Sequence, residues 1–105
     1  MADERTIFHK ILDRELPATI VYEDDEVLAF KDIHPKAPTH LLFIPKKFAK
    51  SIAGLTPETE DLPGMLILKA RNFAQQKGIA QFQILFDGRH VPYLHLHFLS
   101  DQTLP

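Results

Sequence analysis

The 105-residue sequence contains no cysteine and no tryptophan, and it has only four glycines. The absence of cysteine excludes disulfides, thiolate nucleophiles and zinc sites built on cysteine. No apolar run approaches the roughly 20 residues of a membrane-spanning helix, because Pro45 ends the longest candidate, residues 41–44. Residues 1–5 lack the apolar run of a signal peptide. The sequence therefore predicts a cytoplasmic protein that does not bind membranes.

Neither positive nor negative charge predominates in the sequence. The formal net charge is −2, and the basic residues are scattered among acidic ones. Without a basic stripe, duplex nucleic acid is not an expected partner. No repeat, low-complexity tract or Gly/Ser linker divides the chain, so residues 1–105 are predicted to form a single domain. A chain of this length buries only about 60% of its unfolded surface, and this thin core predicts a homodimer.

The first half of the chain predicts one helix and three strands. Thr6 followed by apolar residues at helical spacing predicts a short helix with Thr6 as its N-cap. Apolar runs at residues 20–22 and 27–30, separated by four acidic residues, predict a β-hairpin. A proline-containing loop then delivers His40 to the start of an apolar strand at residues 41–44.

The second half predicts a long helix and two further strands. Thr56, with proline and acidic residues after it, is typical of a helix start, and Gly78 is typical of a helix end. Apolar runs at residues 82–86 and 93–99 predict the last two strands, joined by a turn. This order of elements indicates an α+β fold with an antiparallel sheet. The predicted apolar face of the long helix consists of Leu62, Met65, Leu66, Leu68, Ala70 and Phe73.

The segment 93–99 reads YLHLHFL and carries the candidate chemistry. Alternate residues of a strand point to the same face, so Tyr93, His95 and His97 are predicted to share one side. Two imidazoles roughly 6.5 to 7 Å apart by strand rise can converge on one small anionic group. Structural histidines held by hydrogen bonds are an alternative. A metal site that takes its third ligand from His40 or Asp32 is another.

The surrounding sequence resembles the nucleoside phosphoramidase branch of the histidine triad (HIT) family. The similarity is close to collinear over residues 6–99. Its most specific elements are Asp-Ile-x-Pro beginning at Asp32 and Ala-Pro-x-His ending at His40. The resemblance implies a curved antiparallel sheet with two helices packed on it. It also implies a dimer formed through the long helix and an adjoining strand.

The resemblance further implies a reaction. In this family the central histidine of the triad attacks the α-phosphorus of a nucleotide conjugate, and water then releases the nucleotidyl-histidine; His95 matches that position. His97 matches a contact to the phosphate or leaving group, and His40 matches a residue that fixes the orientation of His95. Asp32 matches the carboxylate that binds ribose hydroxyls, with a purine preferred and no cofactor required. The apolar walls around the base match Ile7, Phe8, Ile11, Phe30, Ile33 and Leu42, each of which also has an ordinary core role as its alternative.

The sequence departs from the family pattern at the phosphate site. Tyr93 replaces the first histidine of the triad, and Phe48 replaces a histidine often found after Pro-Lys-Lys. Relatives carry a longer glycine-rich loop where this chain has only residues 87–92. Such loops hold phosphate with backbone N–H groups. Arg89 and His90 are candidates to replace those donors with cationic side chains, the alternative being that they are solvated turn residues.

Three functions therefore follow from the sequence. The first is a nucleotide hydrolase or transferase that acts on a nucleoside phosphoramidate or a related conjugate through His95. The second is a nucleotide-binding module with little turnover, which the short loop and Tyr93 favour. The third is a metal-binding protein that uses His40, His95 and His97.

Overall fold

A computed structural model describes residues 5–104. The prediction that the chain begins without a signal peptide falls almost entirely on residues 1–4, which lie outside the described residues, as does Pro105. The elements in chain order are α1 (Ile7–Leu12), β1 (Ile20–Glu23), β2 (Val27–Lys31), β3 (Thr39–Pro45), α2 (Leu62–Lys77), β4 (Gln83–Phe86) and β5 (Leu96–Ser100). The predicted α+β fold with an antiparallel sheet is confirmed.

The five strands form one sheet in the order β1-β2-β3-β5-β4, and every neighbouring pair is antiparallel. The predicted hairpin of β1 and β2 is present. In the pairing of β3 with β5, His40 faces Leu99 and Leu42 faces His97. His40 and His97 are therefore diagonal neighbours on one face of the sheet.

Both faces of the sheet are covered. Alternate residues of β3 divide between them: Leu41 and Phe43 pack on the side of α2, whereas Leu42 and Ile44 pack on the side of α1. This division explains why β3 reads as an uninterrupted apolar run, because a strand buried on both faces does not alternate with polar residues. The cluster on the α1 side consists of Phe8, Ile11, Leu28, Phe30, Leu42, Ile44 and Tyr93.

Thr6 caps α1 as predicted. Its hydroxyl oxygen accepts hydrogen bonds from the backbone N–H groups of Phe8 and His9, at 3.1 and 3.2 Å. The backbone N–H of Thr6 donates in return to Nδ1 of His9, at 2.9 Å. The helix then buries Phe8 and Ile11 against the sheet.

The predicted start of α2 at Thr56 is wrong, because the helix begins at Leu62. The N–H of Thr56 donates to the hydroxyl of Thr59, and the N–H of Thr59 donates to the carbonyl of Thr56, so this segment closes into a turn. Proline inside a helix removes a hydrogen bond and clashes with the preceding turn. A start at Leu62 places Pro63 in the first turn, where its missing N–H costs nothing.

The end of α2 and most of its core face agree with the prediction. Gly78 has φ of 70°, a left-handed conformation that glycine adopts without strain, and it ends the helix as expected. Leu68 is wrong as a core residue, since it is 54% exposed. No helix among residues 5–104 is long and apolar enough to cross a bilayer. The predicted face residues that are fully buried are Leu62, Leu66, Ala70 and Phe73.

The last strand is shorter than predicted, because β5 begins at Leu96 instead of residue 93. The N–H of Tyr93 closes a turn onto the carbonyl of Val91, at 2.8 Å. The N–H of Leu94 donates to the carbonyl of Ala49, at 2.7 Å, instead of to a strand. The alternation of faces nevertheless holds, since Tyr93 lies in the α1-side cluster and Leu94 in the core on the α2 side.

Candidate active site

Four polar side chains form a row on the α1 side of the sheet. Oδ2 of Asp32 lies 3.4 Å from Nε2 of His40. The same His40 nitrogen lies 2.9 Å from Nδ1 of His97. The rings of His97 and His95 are 4.9 Å apart between centroids. The structure thus brings together four of the polar residues that the sequence singled out, whereas Arg89 and His90 are not part of this row.

The backbone carbonyl of Tyr93 orients His95. Nδ1 of His95 lies 2.7 Å from that oxygen, which can only accept a hydrogen bond. Nδ1 must therefore carry the proton of the neutral ring, and Nε2 has a free lone pair. This is the tautomer that a nucleophilic imidazole requires.

His40 orients His97 instead of His95, so the role that the sequence predicted for His40 is corrected. The backbone N–H of Lys36 donates to Nδ1 of His40, at 3.1 Å, so in the neutral ring the proton is on Nε2. That Nε2–H donates to Nδ1 of His97. Neutral His97 consequently holds its own proton on Nε2. The physical reason is the register of β3 against β5, which sets His40 diagonally across from His97.

Burial keeps this pair of histidines neutral. Burial, together with the neighbouring His95 and His40, lowers the pKa of His97 to about 4. Burial also lowers the pKa of His40, although the carboxylate of Asp32 opposes the shift. Near pH 7 both rings are therefore hydrogen-bonding groups without charge.

Tyr93 serves the site through its backbone and its packing. Its ring is only 1% exposed, and its hydroxyl donates to the carbonyl of Pro45, at 2.6 Å. Burial raises the pKa of Tyr93 to about 12, so the phenol stays protonated. The rings of His9 and Phe48 pack against it, at 4.8 and 5.1 Å between centroids. These contacts hold the carbonyl that orients His95.

Asp32 presents a partly exposed carboxylate at the other end of the row. Its Oδ1 accepts a hydrogen bond from the N–H of His34, at 2.8 Å, and Oδ2 faces His40. Ile33 is 83% exposed beside it. The carboxylate keeps acceptor capacity for hydroxyl groups of a ligand.

The apolar residues predicted to surround the nucleotide base fall into two groups. Ile7 and Ile33 are exposed and free to contact a flat ring. The rings of Phe8 and His95 make a T-shaped contact, at 5.0 Å between centroids. The members that lie in the α1-side cluster as core residues are Phe8, Ile11, Phe30 and Leu42.

Arg89 and His90 are exposed residues of the turn after β4. The guanidinium of Arg89 donates from Nε and Nη2 to the carboxylate of Asp87, at 2.9 and 2.8 Å, and its side chain is 79% exposed. Arg89 holds the pKa of Asp87 well below its usual range. This pairing gives Arg89 a local role in the turn, in agreement with the solvated-turn alternative.

A cavity of about 350 Å³, here called the lateral groove, lies against His95. Lys50 and Ser51 contribute to it, and the sequence carried no signal for either, because they belong to an irregular segment without a motif. Its floor and walls are formed by His95, Tyr93 and Leu94, by residues 50–53, and by residues 86–88 with Val91.

Three side chains lie close enough to bind a metal ion, but they are not the three that the sequence suggested. Among residues 5–104, ligand atoms of Asp32, His40 and His97 lie within 4.8 Å of one another, and His95 is not part of this group. Tetrahedral zinc with bonds of about 2.0 to 2.1 Å holds its ligand atoms farther apart than the 2.9 Å between His40 and His97. Metal binding would therefore break the hydrogen bond that orients His97.

The chain is similar to known proteins over nearly its whole length. The family model described as scavenger mRNA decapping enzyme C-term binding matches residues 5–104. An uncharacterized HIT-like protein of Synechocystis is 50% identical over 92% of this chain and 90% of its own. The purine nucleoside phosphoramidase of Escherichia coli K12 is 40% identical over 96% of this chain and 91% of its own.

A solved structure of a histidine triad protein from Clostridium difficile matches all of this chain and 97% of its own. The TM-score is 0.86 and the identity 36%. Since a family model and relatives well above 30% identity cover nearly the whole chain, the protein belongs to the histidine triad family. The family includes hydrolases, among them one of known structure from Legionella pneumophila.

Proposed function

We propose that this chain, acting as a single domain, is a nucleotide hydrolase or nucleotidyl transferase that uses His95 as its nucleophile. The observation that carries the proposal is the hydrogen bond from Nδ1 of His95 to the carbonyl of Tyr93, which in the neutral ring leaves the lone pair of Nε2 free. His95 also lines the lateral groove. The similarity to a purine nucleoside phosphoramidase supports purine nucleoside phosphoramidates and related conjugates as the substrate class.

The first step forms a bond between Nε2 of His95 and phosphorus and breaks the P–N bond to the leaving group. The attack makes the imidazole cationic, and the carbonyl of Tyr93 then accepts a charge-assisted hydrogen bond, which is stronger than a neutral one. Water hydrolyses the nucleotidyl-histidine in the second step, which releases the nucleotide and restores neutral His95.

His97 is the proposed proton donor. Its pKa of about 4 in the ligand-free site makes it a weak proton carrier near pH 7. A bound phosphate anion favours the charged imidazole and raises that pKa. In the charged ring Nδ1 also carries a proton, so the hydrogen bond from Nε2–H of His40 is absent while His97 is charged. His97 then gives its Nε2 proton to the departing amine and is neutral again.

The nucleoside is proposed to lie at the Asp32 end of the row. The carboxylate of Asp32 accepts hydrogen bonds from ribose hydroxyls, and exposed Ile33 contacts the base. Apolar walls impose little discrimination between bases, whereas polar groups discriminate strongly. The expected base preference is consequently modest. No metal enters this mechanism.

We extend the proposal to a homodimer formed through α2. Ile67 and Leu68 are large apolar residues on the exposed side of this helix, and β4, which follows it in the chain, is an edge strand. Pairing of two copies would remove both features from water. Sedimentation should detect a dimer that Leu68→Lys dissociates and that a control, Leu16→Lys, leaves intact. A monomeric wild-type protein would contradict this extension.

A binding module with little turnover is the second candidate. The observation that favours it is the pairing of Arg89 with Asp87, which leaves the short turn after β4 without this cation to hold a phosphate. Tight nucleotide binding without hydrolysis would support this candidate.

The test is steady-state hydrolysis of adenosine 5′-phosphoramidate by the wild type, by His95→Ala and by His34→Ala, at matched circular dichroism. His34 is an exposed loop histidine and serves as the matched control. Loss of the nucleophile should lower kcat at least roughly 10³-fold, whereas the control should keep its rate. Rapid quenching should trap a nucleotidyl adduct on His95. No hydrolysis by any variant, with nucleotide binding retained, would favour the binding module.

A further inference from the structure

The lateral groove continues the row of polar side chains beyond His95. The row runs from Asp32 through His40 and His97 to His95, and of these four residues only His95 lines the groove. In a substrate with its ribose at Asp32 and its phosphorus at His95, in-line attack puts the leaving group on the side of phosphorus away from Nε2 of His95. The groove is the space available for that part.

The groove has the size and support of a binding subsite. Its volume of about 350 Å³ lies within the range of roughly 300 to 1,000 Å³ for small-molecule pockets. The hydrogen bond from Leu94 to the carbonyl of Ala49 fixes one wall beside His95. The hydroxyl of Ser51 accepts a hydrogen bond from the N–H of Gly54, at 3.1 Å, and so has its own proton left to donate.

The opposite wall approaches closely at Gly88. A Cβ atom at this position would lie 3.7 Å from Cβ of Ser51, which is an ordinary contact, and the backbone there is not left-handed. A larger side chain at residue 88 would therefore occupy the groove without straining the backbone. This feature offers a way to close the groove selectively.

The charges of the groove favour an anionic occupant. The one carboxylate in its lining, that of Asp87, is neutralised by two hydrogen bonds from Arg89. Lys50 is exposed and forms no ion pair with any residue of the range 5–104. Ile52, which is half exposed, and half-buried Val91 add apolar surface near it.

We propose that the lateral groove is a leaving-group subsite that selects amines with an apolar body and a carboxylate at the far end. Lys50 pairs with the carboxylate, the hydroxyl of Ser51 donates to it, and Ile52 contacts the apolar body. This inference rests on the proposed function, because the subsite serves the leaving group of that reaction.

The experiment uses two adenosine 5′-phosphoramidates of equal length, one of 6-aminohexanoate and one of 6-aminohexanamide, and unsubstituted adenosine 5′-phosphoramidate as the short substrate. The wild type should favour the carboxylate in kcat/KM by about two- to fivefold, as expected for an exposed ion pair. The preference should decrease with added salt. It should disappear in Lys50→Met and persist in Lys77→Met, which removes an equal charge at the far end of α2.

A second experiment fills the same groove with a larger side chain and leaves its charge unchanged. Gly88→Leu should lower kcat/KM for both long substrates by a larger factor than for the short one, which does not extend into the groove. Gly64→Leu is the matched control, since a side chain there meets open space on α2. An equal factor of loss for long and short substrates in Gly88→Leu, each relative to the wild type, would overturn the assignment of the groove.

The remaining outcomes separate this inference from the proposed function. Turnover that depends on His95 but shows no carboxylate preference overturns the leaving-group subsite and leaves the hydrolase standing. If no conjugate is hydrolysed, the dissociation constants of the two long conjugates, measured by calorimetry, test the subsite. A carboxylate preference that depends on Lys50 then supports the subsite within a binding module, and equal affinities for the two long conjugates reject it.

Discussion

His97 should make the stability of the fold depend on pH on the acidic side of neutrality. Its pKa falls from 6.5 to about 4 on folding, because the ring is buried and lies beside His95 and His40. Between these two values the unfolded chain binds a proton that the folded chain does not. Stability from this group is therefore complete above pH 6.5 and is lost as the pH falls toward 4.

The size of the effect follows from the shift. Each unit of pKa corresponds to about 1.36 kcal/mol, and part of the His97 ring stays accessible to water. We expect the free energy of unfolding to fall by about 2 kcal/mol between pH 7 and pH 4.5 on account of His97. The lowered pKa of His40 acts in the same direction.

Urea denaturation at a series of pH values measures this dependence, with His97→Gln as the perturbation. The glutamine amide can still accept the hydrogen bond from His40 but does not titrate. The variant should lose about 2 kcal/mol of the pH dependence, whereas the control His34→Gln, at an exposed histidine, should keep it all. Identical pH profiles for the wild type and His97→Gln would refute the reasoning.

Two further predictions concern the packing and the cap. Leu66→Ala should destabilise the fold by about 2 to 5 kcal/mol, because Leu66 is completely buried. Leu16→Ala, at an exposed site, should cost less than about 1 kcal/mol in the same urea titration, and similar costs would contradict the assigned core. Thr6→Ala should cost about 1 kcal/mol by removing the cap of α1. Thermal unfolding measures this, with Thr19→Ala as an exposed control, and equal melting temperatures for the two variants would argue against the cap.

The shared face of His95 and His97 could be predicted from the sequence because it follows the period of a strand. Alternation placed His95 and His97 on one face even though β5 starts only at Leu96. What alternation does not specify is the partner of each imidazole. His40 was expected beside His95, and the antiparallel register instead sets it against His97.

Local sequence by itself determined where the helices begin and end. The hydroxyl of Thr6, the left-handed backbone of Gly78 and the missing N–H of Pro63 act within one helical turn. Their effects can be read without knowledge of the rest of the chain. The prediction of a helix start at Thr56 is wrong because Thr56 and Pro63 each favour a helix start nearby. The helix begins at Leu62, the start that keeps Pro63 in the first turn.

Only the tertiary structure shows the lateral groove. The lateral groove joins Lys50 and Ser51 to Gly88 and His95, and these belong to segments that are distant in sequence and carry no shared pattern. The burial that lowers the pKa of His97 likewise arises from packing of separate strands. Burial and enclosed volume are properties of assembled surfaces, so neither is encoded in any local run of residues.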